Sequence, residues 1–421
     1  MISAVTAKND NVPRAACCWL LVRSRATCCA FLLLFFSAHF SARSGEDLTA
    51  LRERIDLSLA RGIEALWKLQ DSDGGWHSRT YGHLKPGVAT TALVLETLAT
   101  IDPGHAAGDF ERAEKFLVAW QGKDGGLGSG GDWLEYPTYS TALGILAFVK
   151  LKPNGWEKTI EPWVKYLTSA QHTERNGCAA GDAAYGGWGP EGAYVNGRGR
   201  GSNISATRFA LDALTQANAL DMLTRFKALT FVRSCQAGDG GFFFSPVTAE
   251  LNKAGGAEGR FNAYGSATID GVNALILCGI SGTTPAISIS GGATGEKAMQ
   301  LFVQTPEALE RAYAWLDGHM RIERCPGFNE KDTETWGKGM VLYYRQGLLT
   351  ALLDRAASSP SKPAEIAAIE KIAVATLAFG RRDGIWQSLT VLMKEDDPLI
   401  GTPLALKTLW QCRAALAAPK P

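Results

Sequence analysis

Neither sign of charge dominates this sequence. Its 43 Lys and Arg stand against 42 Asp and Glu, a net charge of +1 that turns slightly negative once residues 1–44 are set aside. Nucleic-acid binding therefore has no electrostatic support. Histidine is scarce, with six in 421 residues, and no G-x-S-x-G elbow marks a serine hydrolase. Beyond residue 44, no apolar run is long enough to span a membrane. Cysteine offers no disulfide framework. Four of the nine lie within the first 29 residues, and Cys178, Cys235, Cys278, Cys325 and Cys412 are odd in number and irregularly spaced. Cys278 and Cys412 sit in apolar helical text as buried thiols. One bridge among Cys178, Cys235 and Cys325 stays open in an oxidising compartment.

Residues 1–44 have the order of a signal peptide or N-terminal anchor. Lys8, Arg14, Arg23 and Arg25 precede the apolar stretch Ala26–Ala42, and Ala42-Arg43-Ser44 offers a small-x-small cleavage site. An exported protein is expected, whether periplasmic, extracellular or attached to the cell envelope. Residues 45–421 read as a single domain, because hydrophobic residues make up 46% of the chain and charged residues 20%, enough for a packed core.

Self-similarity organises that domain. The units are LWKLQDSDGGW ending at Trp76, FLVAWQGKDGGLG ending at Gly128, and a looser YLTSAQ…AAYGGWG ending at Gly189. They continue with FVRSCQAGDGGFFF ending at Phe244, a worn AYAWLDGHM…CPGFN, and TLAFGRRDGIW ending at Trp386. A second helix follows each unit. Thr91, Thr141, Thr207, Thr268 and Thr402 each have aliphatic or aromatic residues at +4 and +7, one face of a helix. The fifth copy keeps the helix and loses the Thr. Gly supplies the tight backbone after the first helix, Asp bonds the turn, and Thr is expected to satisfy free N–H groups where the second helix opens. Six helix–loop–helix units follow.

The motif Q-x-x-DGGW, as in Gln70–Trp76, resembles the repeat of squalene and oxidosqualene cyclases and of protein prenyltransferase β subunits. The resemblance covers most of residues 55–415. It implies an all-α fold, an α/α toroid in which helices ending at the Gln form an outer ring and those carrying the Thr an inner ring. All outer-to-inner loops (71–90, 121–140, 172–204, 237–266, 325–339 and 383–401) then share one face. Long loops on a rigid scaffold are where function sits, and the inner-helix N-termini favour anionic groups there.

The chemistry that the resemblance implies is missing its residues. Class II terpene cyclases use D-x-D-D, which is absent: Asp71-Ser72-Asp73 is followed by Gly74, and Glu395-Asp396-Asp397 has the wrong pattern. The Asp/Cys/His zinc pattern of protein prenyltransferases is absent too, leaving His172, Cys178 and Asp182 as a weak metal trio. His77 and His83 read as loop histidines, and His319 has no credible partner. Asp270, in the first turn of the fourth inner helix, is the candidate catalytic carboxyl, though a helix macrodipole explains it equally.

Candidates for binding at the cavity or loop face are Trp133, Tyr136, Tyr139, Arg208, Tyr264, Asp270, Trp336, Tyr343, Tyr344 and Arg345. Glu135, Tyr194, Arg198 and Arg200 fit a sugar groove loosely. The leading expectation is a non-catalytic toroid with no cofactor, binding an isoprenoid or other lipid, or a protein partner on the loop face. A terpene-cyclase-like enzyme, or a polysaccharide lyase or hydrolase, is the alternative. Aromatic inner faces would favour isoprenoids, and charged ones an acidic sugar polymer.

Overall fold

Helices with an apolar stripe lie against a core, and those that are apolar nearly all round lie inside it. The chain alternates the two kinds. The computed structural model describes residues 44–129, 135–192, 201–247, 249–257, 260–279, 300, 302–328, 336–358 and 363–417. Contacts divide the chain into two units, Met1–Ala50 and Leu51–Pro421; the second builds the ring. Among the described residues, twelve helices of 13 residues or more alternate between outer and inner positions. The outer ones are α1 (Ser44–Lys68), α3 (Ala107–Ala119), α5 (Trp156–Ala170), α7 (Met222–Ser234), α9 (Thr305–His319) and α11 (Pro363–Phe379). The inner ones are α2 (Val88–Ile101), α4 (Pro137–Leu151), α6 (Ile204–Gln216), α8 (Gly265–Leu277), α10 (Val341–Ser358) and α12 (Pro398–Ala417).

Helix α3 buries only Phe110, Ala113, Phe116 and Leu117, a single stripe, whereas α4 buries Ser140 to Phe148 without interruption. Each inner helix packs on the next, and α12 returns to α2. The ring is closed, and the fold is the α/α toroid. Sheet is limited, among the described residues, to the antiparallel pair Gly256–Ala257 and Arg260–Phe261. No described helix is long and apolar enough to cross a membrane.

The repeated turn builds the outer ring. In three copies the Gln amide donates to its own turn and to the next outer helix. Gln70 reaches the carbonyls of Gly74 and Asp109, Gln171 those of Gly186 and Thr224, and Gln236 those of Gly240 and Ala308, at 2.9–3.1 Å. The first Gly of the motif, which is the sole Gly in the sixth copy, has positive φ in five copies: Gly74, Gly125, Gly186, Gly240 and Gly384. At each, a Cβ would run into a backbone carbonyl of the neighbouring outer helix: Arg112, Pro162, Lys227, Arg311 and, for Gly384, Arg61 of α1. Glycine is needed twice over, for its φ and for the close approach. The sixth turn thus docks on the first outer helix.

Threonine does a different job from the expected one. Its hydroxyl accepts the backbone N–H of the motif's last residue rather than one from its own helix. Thr91 takes Trp76, Thr141 takes Leu127, Thr207 takes Trp188, Thr268 takes Phe242 and Thr402 takes Trp386, at 2.8–3.1 Å. The indole N–H groups of Trp76, Trp188 and Trp386 donate to Leu66, Leu167 and Thr376 carbonyls near the outer-helix C-termini, satisfying groups a helix end leaves open. Outer C-termini and inner N-termini therefore lie at the same end of the ring, which places the long loops on one face.

The bridge left open among the loop cysteines does not form. Cys178, Cys235 and Cys325 are buried free thiols, as are Cys278 and Cys412. Cys178 packs in a satellite cluster with Ala184 and Tyr185, away from the other two, which belong to the main core.

Candidate functional site

The inner helices leave space between their first turns. Two adjoining lobes open there on the loop face, of about 180 and 280 Å³, sharing Tyr139, Ser205, Tyr343, Ile400 and Leu404 in their walls. Leu84, Ala89, Thr90, Leu93, Tyr136, Leu143 and Phe209 complete the larger lobe, with Lys394 as its one charged group. The smaller adds Phe244, Tyr264, Met340 and Met393, with Lys253, Asp270 and Glu395 as its ionisable groups. Such a lining of aromatic and aliphatic side chains with few polar groups is that of a ligand pocket for an apolar molecule.

Asp270 is 3% exposed. Tyr343 donates its hydroxyl to Asp270 Oδ1 at 2.7 Å, Ser205 lies 3.0 Å from that hydroxyl, and Arg208 Nε stands 4.0 Å from the carboxylate. Burial raises the Asp270 carboxyl to about 6 against the opposing pull of Arg208, Tyr343 and Ser205. The nearby Glu395 closes the loop face. Its two oxygens accept the N–H groups of Leu342 and Tyr343 at 3.0 and 2.8 Å, capping α10, and burial pushes it up to about 8. Glu135 caps α2 in the same way through Gly87 and Ala89. The acidic run before α12 divides its work: Asp397 caps α12 through Leu399 while Glu395 serves the helix next door.

A layer of Leu143, Arg208 and Phe209 separates this cavity from a polar one of about 370 Å³ at the opposite end. There Glu96, 1% exposed, accepts Lys150 Nζ from α4 and Lys407 Nζ from α12, each at 2.7 Å. Buried between two ammonium groups, its carboxyl is held down at about 2. No motif marks Glu96, whose partners come from two other repeats. Ser205, Phe244, Lys253 and Lys394 were missed for a similar reason: only ring closure brings them together.

Of the residues anticipated from sequence, Tyr136, Tyr139, Tyr264, Asp270 and Tyr343 line the loop-face cavity, and Arg208 stands in the dividing layer beside Asp270. Trp336 sits beneath Lys253, 5.8 Å from its ammonium. Tyr344 and Arg345 do not reach the cavity. Tyr343 faces the ring centre, and a helix turns about 100° per residue, which carries the next two side chains outward. Arg345 donates to Ile322 and Ala375 carbonyls and covers Phe379 of α11. Trp133, Tyr194, Arg198 and Arg200 lie outside the described residues.

The metal trio does not assemble. His172 Nδ1 pairs with Ser202 Oγ at 2.6 Å and Asp182 accepts the N–H of Ala179. Among the described residues no three metal-ligating side chains converge. His77 bonds Asp73 and the Lys85 carbonyl, and His319 stacks on Trp315.

A closed double ring of helices around an apolar cavity defines the class as an α/α toroid. Residues 31–175 and 139–269 match the prenyltransferase alpha-alpha toroid domain. These segments cover more than half of the chain, and the chain belongs to that family. Among solved structures it is similar to a type II terpene cyclase from Scytonema in complex with the product merosterolic acid A. The identity is 13% and the TM-score 0.54, over 87% of this chain and 99% of that one. A second structure of that enzyme holds the substrate geranylgeranyl dihydroxybenzoate, at 12% identity and TM-score 0.53, with 87% and 99% covered. A cellobiose 2-epimerase from Spirochaeta thermophila aligns at 12% identity and TM-score 0.56, over 89% of this chain and 99% of that one. At these identities the likeness shows the fold alone. No curated protein matches the chain.

Proposed function

We propose that this chain is an exported toroid that binds an isoprenoid-type lipid chain in its loop-face cavity, without the family's alkene-protonating or zinc chemistry. The observation that carries the reading is the lining of that cavity, where mainly aromatic and aliphatic side chains surround two adjoining lobes. An acidic sugar polymer would need a denser set of charges at the ring centre. The geranylgeranyl-bearing ligand of the related cyclase adds support for a prenyl chain in this fold. Export rests on the basic–apolar–small order of residues 1–44.

An enzyme with Asp270 as its acid is the second reading, favoured by the burial of that carboxyl in the cavity. Its chemistry is a poor match for an alkene. Moving from 3.8 to about 6 makes the acid roughly a hundredfold weaker, whereas protonating carbon needs a stronger one. Binding is the better account.

The test is native mass spectrometry of residues 45–421 purified without detergent from the native host, followed by titration with geraniol. A retained lipid mass and saturable geraniol binding are expected. Ala89→Trp, which places an indole in the larger lobe, should weaken geraniol at least tenfold with unchanged unfolding. Equal binding by the variant, or none by the wild type, would remove the reading.

A further inference from the structure

Lys253 is the one basic group in the smaller lobe. It follows the short turn Ala249–Leu251 in the loop between α7 and α8. Its ammonium lies 4.1 Å from the centre of the Phe244 ring and 5.8 Å from that of Trp336. Among the described residues no carboxylate stands within ion-pair distance of it. Asp270 and Glu395 line the same lobe, but Glu395, raised to about 8 by burial, is largely neutral at pH 7.5, and the Asp270 carboxylate is engaged by Tyr343 and Arg208. The neighbouring charge that acts on Lys253, Lys394, repels it. The aromatic faces favour an ammonium by about 0.5–2 kcal/mol, yet burial outweighs them and the amine falls to about 8. At pH 7.5 roughly a quarter of it is then the free base, against about 0.1% for an ordinary lysine. A desolvated lysine of this kind is a nucleophile toward carbonyl carbon.

We propose that Lys253 captures the aldehyde or ketone end of a prenyl chain seated in the adjoining larger lobe, fixing it as an imine. The step rests on the lipid-binding reading. The Lys253 nitrogen attacks the carbonyl carbon and forms the C–N bond, while the C=O π electrons move to oxygen. A proton passes from nitrogen to that oxygen, giving a carbinolamine. A carboxyl of the lobe in its acid form protonates the hydroxyl, which leaves as water, and the C=N bond forms as nitrogen gives up its second proton. One water is released and nothing is oxidised or reduced.

Geranial is the probe, incubated with the full mature chain at pH 7.5 and sodium cyanoborohydride to make the linkage permanent, then followed by intact mass and peptide mapping. One adduct at Lys253 is expected, formed at least twentyfold faster than at any other lysine and faster than with propanal. Lys253→Met should lose it while unfolding in urea at the wild-type midpoint, which shows that the fold is intact. Adducts spread evenly over surface lysines, or unchanged labelling of Lys253→Met, would overturn the capture. Geraniol binding without a Lys253 adduct overturns the capture alone and leaves the lipid reading standing. Absence of both overturns the two together. Equal rates for propanal and geranial would overturn the prenyl requirement.

Discussion

Asp270 decides what kind of floor the cavity has, and replacing it with Asn measures the answer. Two effects oppose each other at this carboxyl. Burial favours the neutral form, while Arg208 at 4.0 Å and the Tyr343 hydroxyl at 2.7 Å favour the anion. The structure lets burial win, raising the group from 3.8 to about 6. Between those values the folded protein holds more protons than the unfolded chain, so the contribution to stability is complete below pH 3.8. It is lost as pH rises through 6. The full loss is about 3 kcal/mol at 1.4 kcal/mol per tenfold change. Asn keeps the shape and an acceptor for Tyr343 but cannot ionise. Asp270→Asn should therefore match the wild type at pH 4 and exceed it by up to about 3 kcal/mol at pH 8. Urea midpoints read by tryptophan fluorescence from pH 4 to 8 give the comparison. A variant less stable than wild type at pH 8 would refute the reasoning. The floor would then be a true Arg208–Asp270 ion pair, suited to a polar ligand.

Two further substitutions test the ring. Gly186 and Gly177 have φ of 85° and 84°, but a Cβ at Gly186 meets the Lys227 carbonyl while one at Gly177 meets nothing within 4 Å. Gly177→Ala should cost about 1–2 kcal/mol for its left-handed backbone, and Gly186→Ala at least about 2 kcal/mol more from overpacking, both measured by urea denaturation; equal losses would show that the turn does not set helix approach. Glu96→Gln leaves two partly buried ammonium groups without their carboxylate. Since the wild-type carboxyl is lowered from 4.5 to about 2, its contribution is present above pH 4.5 and lost as pH falls through 2. The variant should lose about 3 kcal/mol at pH 7, and a loss under 0.5 kcal/mol in the same denaturation series would sink the idea that this bridge holds the seam.

The fold was legible because each repeat solves the same local problem with the same residues. Gln, Asp, Gly, an aromatic and Thr recur at spacings that only a repeated turn explains. Less legible was what each residue bonds. Gln70 reaches forward to α3 and Thr91 reaches back to Trp76, contacts between helices whose approach no single repeat encodes. The same limit governs the site. Tyr136, Tyr139, Asp270 and Tyr343 could be found because they lie at or near the first turns of inner helices. Ser205 shares that position in α6 but is a small residue that does not announce a site, and Lys253 lies in a loop; what makes them cavity residues is the wall supplied by another repeat. Tyr344 and Arg345 were misplaced because the choice among three consecutive residues depends on helix rotation, which the worn fifth repeat, lacking its Thr, leaves unmarked.

The two ends of the ring use their carboxylates differently. At the end away from the loops, Glu96 ties α2 to α4 and α12 across the point where the chain closes on itself, and Lys150 stands in the last turn of α4, where a cation complements the helix dipole. At the loop end the carboxylates serve backbone N–H groups instead, Glu135 on α2 and Glu395 on α10. Each ties one repeat to another without placing a salt bridge in the cavity wall. An apolar cavity at the centre of a closed ring needs this arrangement, because ion pairs set around its mouth would hydrate it. With the seam held from the far side of the Leu143–Arg208–Phe209 layer, the loop face is left free to vary its lining, and loss of the Glu96 bridge should weaken the ring while leaving geraniol affinity within twofold of wild type.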